Sequence, residues 1–191
     1  MRNAFIERKT KETDISINLN VDGTGKFNLN TGIGFFDHML SSFAMHGGFD
    51  LLGHVKGDLE VDQHHTVEDT AIVLGQAFNK IISSDKNIKR FGSSYIPMDE
   101  ALSFAAVDIS GRPFIVYDCP IKEIKTGDMD TELFKEFFRA FAFNAGITLH
   151  TKMVYGENGH HMIEALFKAV ARALKDALQP NDGILSTKGV L

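Results

Sequence analysis

Hydrophobic and polar residues follow the same order of periodicities in each half of this 191-residue chain. In the first half, alternation over 14–21 and 26–30 predicts two strands, which a glycine-containing turn would join as a hairpin. Apolar spacing of three to four residues predicts a helix over 35–46. Alternation then predicts a strand over 51–61, and a second helix is predicted over 66–82. The first half is therefore expected to combine a small sheet with two helices.

The second half repeats this order. Strands predicted at 101–108 and 113–117 again form an expected hairpin, and a helix over 131–144, a strand over 148–155 and a helix over 162–178 follow. A sheet on one side and helices on the other would bury the apolar faces of both. The sequence therefore predicts an α+β fold made of two duplicated half-domains, each a two-layer α/β unit.

Individual residues also match across the repeat. Aligning the two halves with an offset of 98 residues matches Gly48 with Gly146 and also matches His38 with Glu136. The polar stretch 83–92 lies between the two halves, as expected for a boundary between repeats. An internal duplication is therefore predicted down to single side chains.

Composition narrows the class of protein. The length fits one functional unit of two fused halves, which we assign to residues 1–92 and to residues 93–191 with a C-terminal tail. The net charge of −5 argues against general nucleic-acid binding, and the single cysteine, Cys119, fits a reducing compartment. No apolar run approaches the ~18 residues of a membrane span, and the N-terminus lacks an apolar signal segment. We expect a cytoplasmic protein that binds neither nucleic acid nor membranes.

One five-residue pattern, HHxxE, occurs twice and opens the last predicted helix of each half. Its members are His64, His65 and Glu68 in the first copy and His160, His161 and Glu164 in the second. On a helix the two histidines stand four and three residues before the glutamate, so all three can lie near one end and face, yet adjacent histidines diverge by about 100° and more plausibly serve different sites. Such imidazole and carboxylate groups are typical metal ligands, so the pattern predicts two metal sites. A single copy could be a solvated helix start, but two copies in register favour metal binding.

Two further side chains complete the predicted ligand set. His38 lies on the preceding helix of the first half, and Glu136 occupies the matching position in the second. The eight candidate ligands, four for each ion, would leave octahedral ions with open positions for substrate. Nitrogen and oxygen donors suit Mn, Fe, Ni or Zn, and Mn²⁺ is favoured where carboxylates join histidines. The predicted cofactors are therefore two divalent metal ions, with Mn²⁺ preferred.

Both added ligands have simpler interpretations. His38 could be a packed helix histidine, and Glu136 could be a surface glutamate that pairs with Arg139 on one helical stripe. If Glu136 does not bind metal, His150 or water would complete the shell. The remaining histidines lack a ligand partner at helical spacing and are expected to be structural or to support the ligands: His46, His54 and His150.

The motifs together closely resemble the imidazoleglycerol-phosphate dehydratase family of histidine biosynthesis. The resemblance spans nearly the whole chain and rests on the segments 8–13, 32–40, 62–69, 97–102, 108–113, 160–168 and 186–191. It implies duplicated halves like domain 2 of ribosomal protein S5, two manganese ions at subunit contacts, and a homo-oligomeric 24-subunit shell. It also implies a small phosphorylated imidazole substrate. The family often has a histidine where this chain has Glu136, and a carboxylate is also a good Mn²⁺ ligand.

The implied reaction removes water from imidazole glycerol phosphate and gives imidazole acetol phosphate. The proton to be removed lies on an ordinary carbinol carbon and is too weakly acidic for a simple base. Two metal ions, one on each ring nitrogen, would stabilise an imidazolate whose electrons can expel the neighbouring hydroxyl. The resulting diazafulvene-like species has an acidic C–H bond in its glycerol-derived part, and loss of that proton gives an enol and then the ketone. Two histidine-rich sites on opposite sides of a flat ring fit this need.

The resemblance assigns roles to further residues. Glu12 matches a substrate-contacting glutamate and is expected to act as an acid or base, although alone it would be an exposed charge. Glu68 and Glu164 are expected to combine metal binding with proton transfer. The phosphate-binding positions that the family implies are Arg90, Arg112, Lys168, Ser186, Thr187 and Lys188. Without the resemblance, each of these would be an ordinary surface group.

Two other functions would use the same ligand set. A metal-storage or cage protein would need the histidines and glutamates but not the phosphate-binding residues. A di-metal hydrolase would release phosphate, whereas the dehydratase keeps it on the product. RNA binding by an S5-like fold is disfavoured by the negative net charge.

Overall fold

The computed structural model describes residues 1–84 and 87–182 and shows the same order of elements in each half. The first half contains β1 (Asn3–Lys9), β2 (Thr13–Asn20), β3 (Phe27–Asn28), α1 (Gly34–Gly47), β4 (Asp50–Gly57) and α2 (His64–Ser84). The second half contains β5 (Phe91–Met98), β6 (Ala101–Asp108), β7 (Phe114–Asp118), β8 (Lys125–Thr126), β9 (Met129–Asp130), α3 (Glu132–Ala145), β10 (Thr148–Tyr155) and α4 (Gly159–Ala177). The boundary predicted between residues 92 and 93 falls within β5. Only the β8–β9 hairpin has no counterpart among the described elements of the first half.

Each half has a four-stranded sheet with the same strand order, β1–β2–β4–β3 and β5–β6–β10–β7. The hairpins predicted at 14–21 with 26–30 and at 101–108 with 113–117 are wrong, because β4 or β10 lies between the two strands of each pair. β3 pairs parallel with β4, and β7 pairs parallel with β10. A parallel pair needs a crossover connection, which α1 and α3 supply. The true hairpins join β1 to β2 and β5 to β6, and their first strands were not predicted.

The helices of the two halves pack on one another across the middle of the molecule. α1 packs against α4 and α2 packs against α3, while α2 and α4 also cover the sheets of their own halves. Phenylalanines fill this centre: the rings of Phe43 and Phe141, which are equivalent in the repeat, lie 6.2 Å apart, and Phe78 lies 5.4 Å from Phe141. The predicted duplicated α+β fold is confirmed, and its two halves share one core.

The matched glycines Gly48 and Gly146 end α1 and α3 in the same way. Both adopt the left-handed conformation, with φ of 68° and 69°, which glycine reaches without the steric cost of a Cβ atom. His38 and Glu136 are each the fifth residue of their helix. The repeat therefore places these two side chains at the same turn of equivalent helices. Within the described ranges, no helix is long and apolar enough to cross a membrane.

Candidate metal centre

Three predicted ligands converge where the start of α4 packs against α1. The Nε2 atoms of His38 and His160 lie 3.2 Å and 3.1 Å from the same oxygen, Oε2 of Glu164. One ligand atom from each residue can be chosen so that all three lie within 4.8 Å of one another. We refer to these three residues as the α1–α4 ligand set. No other group of three or more His, Cys, Asp or Glu side chains converges as closely within residues 1–84 and 87–182.

The carboxylate of this set is ionised although it is buried. Burial alone would raise the pKa of Glu164, but the ion pair with Lys168 and the hydrogen bond to His38 lower it to about 2. Lys168 Nζ lies 2.7 Å from Oε1 of Glu164, so the lysine holds one carboxylate oxygen and the histidines approach the other. A buried carboxylate flanked by two imidazoles is the donor set that a divalent ion such as Mn²⁺ would accept.

The β8–β9 hairpin connects the starts of α1 and α2. Asp128, at its tip, accepts hydrogen bonds of 3.0 Å from the backbone N–H groups of Gly34 and Phe35, the first two residues of α1. Gln63, which precedes α2, donates to the backbone carbonyl of Asp128 at 2.7 Å. The Phe35 ring in turn packs edge-on to the ring of His160, with centroids 5.1 Å apart. A side chain of the second half therefore caps the helix that carries His38 in the first.

The repeat-equivalent residues form a more open group, the α2–α3 ligand set of His64, Glu68 and Glu136. His64 Nε2 lies 3.5 Å from Oε2 of Glu68. The guanidinium of Arg139 lies between the two carboxylates, 3.1 Å from Glu68 Oε1 and 2.8 Å from Glu136 Oε2. The surface ion pair considered as the alternative for Glu136 is therefore present, and it extends to a second candidate ligand.

The second histidine of each motif points away from the first, toward a different pair of carboxylates. His65 Nδ1 lies 3.1 Å from Asp58, and its Nε2 lies 3.8 Å from Glu12. His161 shows the same arrangement: its Nδ1 lies 2.7 Å from Glu100 Oε2, and its Nε2 lies 3.5 Å from Oδ2 of the exposed Asp99. Hydrogen bonds to Asp58 and Glu100 are the main cause that raises the pKa of each imidazole. The structure thus separates the adjacent histidines into different environments.

Sequence reasoning missed three of these carboxylates: Asp58, Asp99 and Glu100. One signal could have found Glu100, because it directly precedes β6 as Glu12 directly precedes β2. Asp58 follows β4 and carried no motif. Its relation to His65 depends on how the loop between β4 and α2 folds.

A cavity of about 520 Å³ lies beside the α2–α3 ligand set and is lined in part by His64, Glu136, Tyr117 and Cys119. Its volume suits a small phosphorylated molecule. Burial raises the pKa of the Tyr117 hydroxyl and raises that of the Cys119 thiol to about 12. Both groups are therefore neutral at physiological pH, and the thiol is not an activated nucleophile.

The predicted phosphate-binding residues lie in different places. Lys168 pairs with Glu164 of the α1–α4 ligand set. Arg90 and Arg112 instead both approach Asp108, with nitrogen–oxygen distances of 2.7 Å and 3.5 Å. The backbone N–H of Arg90 donates to the carbonyl of Ala177, the last residue of α4. At 1.5 Å per residue this places Arg90 about 25 Å from the start of α4. The tail residues Ser186, Thr187 and Lys188 lie outside the described residues.

The remaining histidines are placed apart from the ligand atoms. His150 and His54 are exposed on strands whose alternate residues face the helices, so both point to the outer sides of the sheets. His46 is half-buried on α1, and burial, followed by the charges of Lys168 and Arg172, lowers its pKa. Within one subunit His150 therefore does not stand in for Glu136.

Comparisons with known proteins agree on one family. Residues 31–174 match the family described as imidazoleglycerol-phosphate dehydratase. Proteins of that name from Acetivibrio thermocellus and Clostridium acetobutylicum are 59% and 56% identical to the chain, over 97% and 98% of it and 97% of each relative. The crystal structure of the Staphylococcus aureus enzyme matches with a TM-score of 0.84 at 40% identity, over 94% of this chain and 99% of the other. The Pyrococcus furiosus enzyme, crystallised with (S)-C348, matches with a TM-score of 0.86 at 38% identity, over 97% and 100%.

Proposed function

The chain belongs to the imidazoleglycerol-phosphate dehydratase family, and from that premise we propose that it holds two divalent metal ions, preferably Mn²⁺, on its two HHxxE motifs. As a hydro-lyase of histidine biosynthesis, it converts imidazole glycerol phosphate to imidazole acetol phosphate. The proposal concerns how its own residues support that reaction.

The convergence of His38, His160 and Glu164 carries the proposal. Three donors from two helices meet at one point, and the carboxylate among them is kept ionised by Lys168. Nitrogen and oxygen donors without thiolate match the preference of Mn²⁺. The same residue types recur in the α2–α3 ligand set, which supports one ion for each ligand set. His65 and His161, which point elsewhere, would complete sites with residues of neighbouring subunits.

When bound, the two ions would supply the positive charge that stabilises an imidazolate form of the substrate ring. The protein must also move protons. Glu12 lies in the turn before β2, with its side chain about half exposed and an oxygen 3.8 Å from Nε2 of His65. It can therefore reach a substrate bound beside that ring, and we assign it the acid or base role. The carboxylates of Glu68 and Glu164 would each combine metal binding with proton transfer.

The phosphate-binding residues support a site shared between subunits. Arg90 lies about 25 Å from the start of α4, a distance that a small substrate does not span. Arg112 approaches the same carboxylate as Arg90, that of Asp108. If these arginines bind the phosphate, they belong to a different subunit from the HHxxE motif that faces the imidazole ring. A homo-oligomer follows from this requirement, and the 24-subunit shell is its proposed form. Lys168 and the tail residues Ser186, Thr187 and Lys188 would add further phosphate contacts.

Location and partners follow from the biosynthetic role. We propose a cytoplasmic enzyme whose partners are its small phosphorylated substrate and other copies of the same polypeptide. The negative net charge supports the absence of a nucleic-acid partner.

The test measures bound metal and product together. His160→Ala should lose metal and turnover of imidazole glycerol phosphate, whereas the control His54→Ala, on the outer side of the first sheet, should keep both. The product should retain its phosphate, since release of inorganic phosphate would indicate the hydrolase. Metal binding by the intact protein without any turnover would indicate storage. Full turnover by protein verified to contain no metal would overturn the metal assignment.

A further inference from the structure

In each HHxxE motif, a carboxylate forms a hydrogen bond with Nδ1 of the second histidine. Asp58 reaches Nδ1 of His65 with both oxygens at 3.1 Å, and Glu100 reaches Nδ1 of His161 at 2.7 Å. A carboxylate accepts hydrogen bonds and does not donate them, so the facing nitrogen must carry the proton. In a neutral imidazole the other nitrogen, Nε2, then offers its lone pair.

The two carboxylates come from different elements, although the histidines they contact are equivalent in the repeat. Asp58 follows β4, and the residue 96 positions later is Val154, which has no carboxylate. Glu100 lies in the β5–β6 turn, and its counterpart in the β1–β2 turn is Glu12, which faces Nε2 of His65 rather than Nδ1. The duplication therefore did not produce this contact twice by copying. Two unrelated positions supply the same group to the same ring atom.

We propose that Asp58 and Glu100 are positioning residues, which hold His65 and His161 with Nδ1 protonated so that Nε2 faces the metal ion. The inference rests on the proposed metal function. Carboxylates in this position fix the tautomer and orientation of a metal-binding imidazole and make it a stronger ligand.

Glu100 is itself held in place. Its Oε1 accepts hydrogen bonds from the backbone N–H groups of Glu157 and Asn158, at 3.2 Å and 2.8 Å. The side chain of Asn158 caps α4 by accepting from the N–H groups of His160 and His161. Glu100 thus ties the β5–β6 turn, the start of α4 and the His161 ring into one unit.

This arrangement gives the two equivalent glutamates different tasks. Both oxygens of Glu100 are occupied by the helix start and the Nδ1 atom. Glu12 instead stands on the Nε2 side of its histidine, where substrate would bind. The protein accordingly has two HHxxE motifs but uses one of the two turn glutamates for proton transfer.

The test for Glu100 is Glu100→Gln, with Glu157→Gln as the matched control. Glutamine keeps one carbonyl oxygen, which the two backbone N–H groups retain, so its NH₂ group turns toward Nδ1. A donor at this position favours the opposite tautomer, which places the proton on Nε2. Titration of metal-free protein with Mn²⁺, followed through the EPR signal of unbound Mn²⁺, should show one class of sites weakened roughly 10- to 100-fold. Glu157→Gln removes an exposed charge from the adjacent loop and should bind as the parent does.

The test for Asp58 is Asp58→Ala, with Glu60→Ala as control and Asp58→Asn as the conservative variant. The alanine variant should weaken Mn²⁺ binding over a similar range. Asparagine can still offer an oxygen to Nδ1 and should restore much of the affinity, which a general loss of negative charge would not explain. Unchanged affinity in both Glu100→Gln and Asp58→Ala would overturn the inference.

The failure of the inference can be told apart from failure of the metal assignment itself. His65→Ala and His161→Ala should each lose a class of Mn²⁺ sites. If they do and the carboxylate variants do not, only the positioning role is wrong; if the histidine variants also bind normally, the proposed metal function fails. As a second readout, a manganese-edge anomalous map of the parent should place metal at Nε2 of both histidines, and metal at Nδ1 would overturn the inference directly.

Discussion

The α1–α4 and α2–α3 ligand sets are equivalent in the repeat, yet they differ in how deeply their glutamates are buried and in how closely their side chains approach one another. In the first set a buried glutamate, Glu164, collects two histidines and is neutralised by Lys168, four residues along the same helix. In the second set Glu68 and Glu136 are more exposed, and Arg139 bridges them from α3. The ligand types are nearly the same in the two sets. The cation that neutralises them lies on α4 in the first set and on α3 in the second.

The positions of these cations explain why the two sets differ. The counterpart of Lys168 in the first half is Ile72, and the counterpart of Arg139 is Ser41. Duplication therefore kept the backbone and most of the ligands but not the residues that neutralise them. The comparison teaches that equivalent helices determine where ligands stand, and unmatched neighbours determine how closely they approach.

The largest effect is expected from replacing Glu164, and it should distinguish this glutamate from its counterpart Glu68. Glu164→Gln removes the only negative ligand of the α1–α4 set and leaves Lys168, which is largely buried, without its partner. We expect a loss of metal affinity of roughly 100-fold or more and a loss of stability of about 3 kcal/mol. Metal analysis and chemical denaturation of the metal-free protein would measure the two effects separately.

Glu68→Gln is the matched change in the other set. Arg139 is about half exposed, so it remains solvated when one partner is lost, and stability should change by less than about 1 kcal/mol. Metal affinity should still fall. Equal losses of stability in the two variants would contradict the view that burial distinguishes the sets.

The pH dependence of stability should also depend on Glu164. The pKa of Glu164 is lowered from its ordinary value of 4.5 to about 2 in the folded protein. A carboxyl group whose folded pKa is depressed contributes stability above its unfolded pKa and loses it as the pH falls. The metal-free parent should therefore lose stability between about pH 4.5 and pH 2, and Glu164→Gln should show a shallower slope there. Because the other acidic groups are common to both proteins, identical slopes would contradict the assignment.

A smaller effect is expected at Glu136, where the resemblance led us to expect a histidine. Glu136→Ala removes one of the two carboxylates that Arg139 bridges, and Mn²⁺ affinity of one site should fall roughly 10-fold or more. Glu136→His should retain much of the metal and activity, because imidazole is a ligand of comparable strength. Full metal loading and normal turnover in Glu136→Ala would leave Glu136 as a surface ion-pair residue and transfer its place to water.

Much of the fold could be predicted because periodicity reports local structure. The helices predicted over 35–46 and 131–144 are observed at Gly34–Gly47 and Glu132–Ala145, and the strand predicted over 148–155 is observed at those residues. Strand pairing was mispredicted because alternation shows which residues face the core but not which strand lies alongside. The family and its reaction, inferred from the motifs, are confirmed.

The site was less predictable for a related reason. Helical spacing brought each HHxxE motif to one helix start, and the repeat added His38. Asp58 lacks a motif, and Glu100 lies 61 residues from His161. Helical spacing predicted that Arg139 pairs with Glu136, but not that it also reaches Glu68, which lies 71 residues away in sequence. Their roles depend on tertiary packing, which no local pattern encodes.

The smallest expected effect concerns the β8–β9 hairpin, which has no counterpart among the described elements of the first half. Asp128, in the β8–β9 hairpin, caps α1 through two hydrogen bonds, while Ile33, the residue at the N-cap position, has no side-chain cap of its own. Asp128→Ala should therefore cost about 1 kcal/mol of stability. It should also weaken Mn²⁺ binding a few-fold through the α1–α4 set alone, because His38 lies one turn from the cap. Asp130→Ala removes an exposed pair with Lys125 from the same hairpin and should change stability by less than about 0.5 kcal/mol. If Asp128→Ala weakened both ligand sets equally, the hairpin would act on the whole molecule and not on the start of α1.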